Sequence, residues 1–563
     1  MEIRGVLADV GLFAGLSADA LDALAAVAVP MGLPGGARLI EQGGVSAGVW
    51  VLLSGRLKVV RAGESGPLGF VNPGESVGEL SMISGAPHMA HVSAVRDSLL
   101  LHVPKEALRQ VLRDSPESMW RMMQLLVTRT TRQEGLAAPR TLAVIALTPG
   151  LDALDFARRL VAPLQALGLK VALLSDGDAR AGPDALAAVE AAHDVTLYAA
   201  GGEAETWRAR ALRQADRVLL LAGRARPLHP ELRALLAASA AAPFDLALLE
   251  GEDAAGWRAL LPLSVTLPVA AGDGAALGRL ARLLVNRAVG IVLSGGGARG
   301  LAHLGVVKAL RAAGVVIDRF AGVSMGSIVA AGYAAGWSQE EAEARFHASF
   351  VVANPVSDYT LPLLALTGGR KVSALLRAAF GERRIEALPH PYFCVSTNLS
   401  NASERLHREG LLWQAVRASL AIPGLLPPVA MAGEVLVDGA VLNNFPVLHA
   451  RGEGRGPVIG VDVGSQLALE CRAEELDGSG FRWLGRRGEA PGIASVLARS
   501  GTLTSRETRA NAARACDLLL TPPVGGLPIL DWRQFGRALE IGYAHASERI
   551  AAAPAEVLGR LGL

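Results

Sequence analysis

Cysteine is almost missing. Cys394, Cys471 and Cys516 are the three in 563 residues, and they lie far apart. Such spacing offers neither a disulfide framework nor a metal-ligand pattern, so small buried apolar side chains are the expected role. Charge is scarce as well. Asp, Glu, Lys and Arg make up 19% of the chain, against roughly 25% in ordinary soluble proteins. Hydrophobic residues reach 51%, and the mean hydropathy is +0.33. A disordered chain needs the opposite balance and is excluded. Long apolar runs are missing too. No stretch of ~20 uninterrupted apolar residues offers a membrane span. The longest uncharged segments, such as Ala321–Trp337 and Ala418–Gly433, are broken by Gly, Ser or Pro. Nor is there an excess of basic charge. Lys plus Arg is 55, Asp plus Glu is 53 and the net charge is +2, so no nucleic-acid footprint is expected. Arg outnumbers Lys about tenfold, as codon bias in a GC-rich genome would give. Residues 1–13 lack the basic and long apolar regions of a signal peptide. The expectation is a cytoplasmic protein with an apolar interior that meets a membrane, if at all, peripherally.

At ~150 residues per domain the length accommodates three or four domains. Residues 1–135 open with a helical pattern, Ala18–Val27. Short alternating runs follow at Ala37–Glu41, Val49–Ser54, Gly55–Arg61, Leu68–Val71, His91–Ala94 and Ser98–Val103. Gly and Pro punctuate them, the rhythm of a small β-barrel or jelly roll closed by helices. The Met-rich, basic stretch Met119–Arg132 reads as packing plus a solvated face. After a linker, Glu134–Arg140, residues 140–286 alternate apolar strands with helices in an α/β open-sheet pattern. This middle module has no phosphate-binding Gly-rich loop and reads as a spacer. Residues 288–465 are α/β again. Residues 466–563 form an extension with a polar segment, Gln466–Arg487, and terminal helices at Ile493–Cys516 and Trp532–Ala552.

The chemistry gathers in the third module. An apolar strand at Gly290–Leu293 runs into Gly295-Gly296-Gly297-Ala298-Arg299-Gly300, and a helical pattern follows. Unpaired amides at such a turn can hold an anion. The turn also satisfies the dinucleotide fingerprint, with Asp318 where a ribose-binding acid would sit, but that match alone is weak. About 25 residues on, Gly322-Val323-Ser324-Met325-Gly326 has the nucleophile-elbow pattern, in which flanking glycines allow a sharp turn. A nucleophile beside a separate oxyanion site is what acyl transfer requires.

A serine nucleophile needs a base. Asp438 is the sole charged residue between Glu434 and Arg451. Burying a carboxylate in so apolar a stretch is costly unless it is paired or functional. Two readings stay open. Asp438 can take the Ser324 proton directly, or His449 can complete a Ser-Asp-His order as in α/β hydrolases. His303, after the Gly-rich turn, reads as a packed helix residue.

Three of these motifs, Gly295–Gly300, Gly322–Gly326 and Asp438-Gly439-Ala440, together with Arg417–Gly424 and Pro427-Pro428-Val429, resemble the signatures of patatin-like phospholipases. The resemblance implies a patatin-like α/β hydrolase domain with Ser324 and Asp438 as a dyad. It further implies an oxyanion hole at Gly295, Gly296 and Gly297, with Arg299 steadying the turn. It also implies hydrolysis of phospholipid or lysophospholipid acyl esters at a membrane surface, without metal or other cofactor. In the first module, Gly78-Glu79-Leu80-Ser81 resembles a cyclic-nucleotide-binding domain. That layout, with the middle stretch Trp207–Leu220, is similar to the neuropathy target esterase family, lacking its animal members' transmembrane anchor.

One departure matters. The family's phosphate arginine is replaced by His88, followed by Met89, Ala90 and His91. Histidine is mostly neutral at pH 7, whereas arginine is a permanent bidentate cation. Cyclic nucleotide, the one regulator the layout implies, is therefore expected to bind weakly or not at all. Rival readings are a cyclic-nucleotide-responsive protein with an inactive hydrolase domain, a dinucleotide oxidoreductase, and a barrel-bearing transcription factor, which would need a helix-turn-helix after residue 135.

Overall fold

A computed structural model describes residues 3–13, 16–62, 67–114, 119–120, 123–124, 138–201, 205–238, 242–249, 253–361, 363–464 and 506–563. The expected linker 134–140, except its last three residues, lies outside these. So do the polar segment 466–487, residues 493–505, and most of 119–132. The chain divides into two compact units, the first mainly Met1–Gly251 with Gly256–Val265 and Val269–Asn286, the second mainly Arg287–Leu563.

The first unit begins with the helix Ile3–Asp9, followed by the helix Ala18–Val27, which is capped by the Ser17 hydroxyl accepting from the Ala20 amide at 3.2 Å. The barrel that follows is antiparallel. Its strands run in the order Val29–Leu33, His91–Pro104, Gly48–Val60 and Pro67–Val71. Two of them are long. The sequence pattern breaks Gly48–Val60 at Gly55 and His91–Pro104 near Asp97, yet each is one strand. Gly55 adopts φ 100° and takes up a register irregularity instead of ending the strand, which is how a bulge uses glycine. Side chains alternate across the sheet. Trp50, Leu52 and Leu100 fill the barrel, while Val49, Val51, Leu101 and Val103 pack under Leu21, Leu24 and Leu108 of the helices.

The middle module is a six-stranded sheet in the order Leu263–Pro268, Phe244–Leu248, Arg217–Ala222, Thr141–Ala146, Val195–Ala200 and Val171–Leu174. From Phe244–Leu248 through Val171–Leu174 every neighbouring pair is parallel. Val195–Ala200 and Arg217–Ala222 are buried at every position, as expected when helices cover both faces. Barrel and module share a buried charge cluster. Asp216 is ion-paired with Arg96 at 3.1 Å and with Arg56 at 3.5 Å, and also accepts the Arg140 and Thr141 amides. Arg96 pairs further with Glu190 at 2.7 Å.

The second unit is built on an eight-stranded mixed sheet. Its path runs Val429–Met431, Glu434–Asp438, Tyr392–Asn398, Ile317–Gly322, Val289–Leu293, Val458–Val461 and Leu518–Leu520, with Ser403–His407 paired to Tyr392–Asn398. The four neighbours from Ile317–Gly322 to Leu518–Leu520 are parallel. The far end of the chain thus contributes a strand, and helix Phe535–Ala551 buries Ala538, Ala546 and Ile550 in the same core as Leu304 and Val307.

Removing one member of a buried ion cluster strands its partners without solvent. Asp216→Ala is expected to destabilise the protein by about 3–5 kcal/mol in urea denaturation. Asp216→Asn, which still accepts the two backbone amides, should fall between it and the wild type.

Candidate active site

Two neighbouring parallel strands carry the site on their carboxyl ends. Val289–Leu293 leads into the Gly-rich turn and Ile317–Gly322 into the elbow, with Leu293 and Gly322 in register. Ser324 sits at φ 52° and ψ −125°, a conformation L-residues rarely adopt, and it precedes helix Met325–Ala334. Such strain persists where the surroundings hold it. A Cβ on Gly322 would stand 2.5 Å from the Gly326 carbonyl carbon, and one on Gly326 would stand 2.6 Å from the Leu293 carbonyl carbon. Both positions therefore require glycine. The Ser324 amide donates to Ser419 Oγ at 3.1 Å, and Ser419 donates on to the Val395 carbonyl at 2.7 Å. Ser327 donates from its amide and its hydroxyl to the Ser324 carbonyl.

Asp438 closes strand Glu434–Asp438, opposite Ser396, with its amide bonded to the Ala421 carbonyl. The residue is 2% exposed and Ser324 is 5% exposed. Burial raises the Asp438 carboxyl to about 7; hydrogen bonding from the Ser324 hydroxyl and the Ala440 amide pulls the other way. The Ala440 amide donates to Oδ1 at 2.9 Å. Among the described residues Oδ2 makes no well-formed hydrogen bond. The serine therefore neighbours the carboxyl through a loose contact, a common state before substrate binds.

The Gly-rich turn packs against the nucleophile, since a Cβ on Gly295 would lie 3.0 Å from Ser324 Cβ. Asn444 clamps the Gly295 peptide from both sides: its Oδ1 accepts the Gly295 amide at 3.1 Å and its Nδ2 donates to the Gly295 carbonyl at 3.2 Å. The Gly295 amide, one of the three donors expected for an oxyanion, is thus already engaged. Gly296 and Gly297 amides donate to nothing among the described residues. Arg299 points away from the reaction space. It donates to the carbonyls of Leu527 and Gly525, both at 2.7 Å, and so ties the turn to the C-terminal segment.

The histidines are placed elsewhere. His449 Nε2 meets Glu404 at 2.7 Å, and Asn443 donates to the same oxygen. No contact joins it to Ser324 or Asp438 among the described residues. His303 is fully buried with Nε2 on the Ser294 carbonyl, and burial lowers it to about 4, so the ring is neutral packing. Asp318 starts its strand at the end opposite the Gly-rich turn and accepts the Val289 amide, which removes the ribose role a dinucleotide site needs. Ser419 stands in the quoted segment Arg417–Gly424 and Asn444 lies four residues past Asp438-Gly439-Ala440, and neither carries a motif role. Only their place beside the signature residues could have marked them.

In the barrel, Gly78 adopts φ 98° and caps helix Glu79–Ser84, with Glu79 buried and Leu80 exposed. His88 is buried, and burial moves its ring below the ordinary histidine range. The His91 ring accepts the Gln42 amide, and Ala90 is half-buried. Among the described residues no group of His, Cys, Asp or Glu is arranged to hold a metal, and no helix is long and apolar enough to cross a membrane.

Two cavities adjoin the catalytic elements. One of about 240 Å³ is lined by Ile328, Trp337, Phe346, Phe350, Leu376 and Phe380 among others, with Ile328 one turn past Ser324. The second, about 520 Å³, is a mouth bounded by Phe350, Ile422, Leu425, Ile529 and Trp532. The Ile529 carbonyl accepts the Ala298 amide of the oxyanion turn.

A carboxyl whose folded pKa is raised binds a proton that the unfolded chain releases near 3.9, so it costs stability as pH climbs from there to about 7. Asp438→Asn should therefore melt at a higher temperature than wild type at pH 8, with the gap closing toward pH 4. Calorimetry across that range checks it.

The patatin-like phospholipase family model matches residues 291–451, and the cyclic nucleotide-binding domain model matches residues 31–115. Human patatin-like phospholipase domain-containing protein 6 is 28% identical over 91% of this chain, and mouse patatin-like phospholipase domain-containing protein 7 is 28% identical over 92%. The chain spans 43% and 44% of those two proteins. An uncharacterized NTE family protein of Mycobacterium tuberculosis is 30% identical over 98% of this chain and 97% of its own length. Similarity of that extent, end to end, means that the chain belongs to the NTE, or neuropathy target esterase, family and carries a patatin-like phospholipase domain.

Proposed function

We propose that the chain is a serine hydrolase of acyl esters in phospholipids or lysophospholipids, working through a Ser324–Asp438 dyad at a membrane surface. One observation carries this reading above the rest. The buried Asp438 carboxyl neighbours the Ser324 hydroxyl, and burial pushes it up to about 7. A base near the working pH can both accept and return a proton.

The Ser324 oxygen attacks the ester carbonyl carbon while its proton passes to Asp438. The tetrahedral oxyanion is received by the Gly296 and Gly297 amides, donors of a kind worth ~10²–10³ in turnover each. Collapse expels the lipid alcohol, which takes the proton from Asp438, and leaves an acyl-serine. Water then gives a proton to Asp438 and attacks the acyl carbon. Departure of the fatty acid restores the serine and the carboxylate. The apolar cavity past Ile328 supplies space for the acyl chain. The barrel acts as a structural or degenerate regulatory domain, because His88 does not replace the phosphate cation.

Headgroup- and chain-resolved lipid hydrolysis tests the proposal. Ser324→Ala should fall to background, and His449→Ala should keep most of the activity because its partner is Glu404. A folded His449→Ala protein without activity would instead support the triad.

A further inference from the structure

The segment from Val352 to Leu364 breaks the rule that large apolar side chains are covered. Val352 is 75% exposed, Tyr359 78%, Leu361 72%, Leu363 83% and Leu364 77%. Isolated exposed leucines need no explanation, but a contiguous cluster of this kind marks an interaction surface. The backbone beneath it is well anchored. Leu366 and Thr367 amides donate to the Gly424 and Leu425 carbonyls, the Thr360 amide to Leu366, and Tyr359 bridges Thr367. Asp358 accepts the Arg370 and Lys371 amides at the base. Residues 358–361 and 363–367 are thus anchored at their ends while Tyr359, Leu361, Leu363 and Leu364 stand exposed.

Its position names the occupant. The loop leaves the π-helical turn His347–Val352, whose Phe350 lines both cavities, and it is bonded to Leu425, which lines the mouth. The apolar tip therefore adjoins the cavity bounded by Ile422, the residue after Ala421, whose carbonyl accepts the Asp438 amide. Arg370 is exposed and Lys371 half-buried at the base of the loop, and Arg533, which bounds the cavity, is exposed and paired with Asp531 at 2.9 Å; the Arg370 and Lys371 charges suit anionic headgroups. Tyr359 has the apolar body and polar end favoured at a lipid–water interface.

We propose that the tip formed by Tyr359, Leu361, Leu363 and Leu364 inserts into a phospholipid monolayer and holds the catalytic mouth against it. This inference rests on the lipid-hydrolase reading above, and its test separates the two.

The full chain and its Leu361→Ser/Leu363→Ser/Leu364→Ser variant are sedimented with vesicles of phosphatidylcholine, with and without phosphatidylglycerol. Hydrolysis of a soluble short-chain aryl ester and the melting temperature are measured alongside. The variant should lose vesicle binding about tenfold or more, keep the soluble-ester rate and melt as wild type does. Wild type should bind more tightly when phosphatidylglycerol is present. Equal vesicle binding by variant and wild type, or none by wild type, overturns the proposal. So does a wild-type dimer that the variant breaks without change in vesicle binding, since the tip would then cover a second copy. Loss of vesicle binding in a protein whose wild type hydrolyses no ester would keep the docking surface and reject the hydrolase reading.

Discussion

The site depends on a carboxyl group that the fold keeps out of water. Asp438 is 2% exposed, lies at the end of a strand flanked by apolar residues, and faces Ser324. Desolvation of a lone carboxylate is costly, and the fold leaves that cost partly unrelieved: one backbone amide holds Oδ1, and the serine holds the group loosely. Burial thereby pushes the carboxyl up to about 7, where the proposed mechanism needs its base. Everything around it maintains this condition. Ser419 holds the Ser324 amide, Asn444 clamps the turn, and Arg299 braces the turn against Leu527 and Gly525.

The low charge of the chain has its clearest consequence in this region. The uncharged stretch Ala321–Trp337 becomes the elbow and its buried helix, where all ten residues of Met325–Ala334 are covered. Ala418–Gly433 supplies Ser419 and Ala421, which fix the nucleophile amide and the Asp438 amide, and Ile422 and Leu425 at the mouth. Apolarity thus provides both the wall of the site and the medium that shifts its base. The same economy of charge fails at the loop tip near Leu363, where apolar residues face outward.

Much of this was legible in the sequence because it follows local rules. The elbow and the Gly-rich turn announce themselves by glycine spacing, and the strands of the middle module by their unbroken apolar runs. Other features were hidden because they depend on distant partners. Gly55 looks like the end of a strand, yet it serves as a bulge within Gly48–Val60 because the long strand His91–Pro104 pairs across it. Strand Leu518–Leu520 lies far from Val458–Val461 in sequence, and only pairing reveals it as part of the central sheet. The engagement of Gly295 by Asn444 joins positions 149 residues apart. No spacing rule anticipates such a clamp, which engages the Gly295 amide.

The central claim is that Asp438, without an intervening histidine, activates Ser324. The most direct measurement is the rate of covalent fluorophosphonate labelling of Ser324 as a function of pH, in wild type, Asp438→Asn and His449→Ala. The account predicts a rate that rises with an inflection near 7 in wild type and His449→Ala, and that collapses in Asp438→Asn. Labelling that survives in Asp438→Asn, or that disappears in a folded His449→Ala protein, would contradict it.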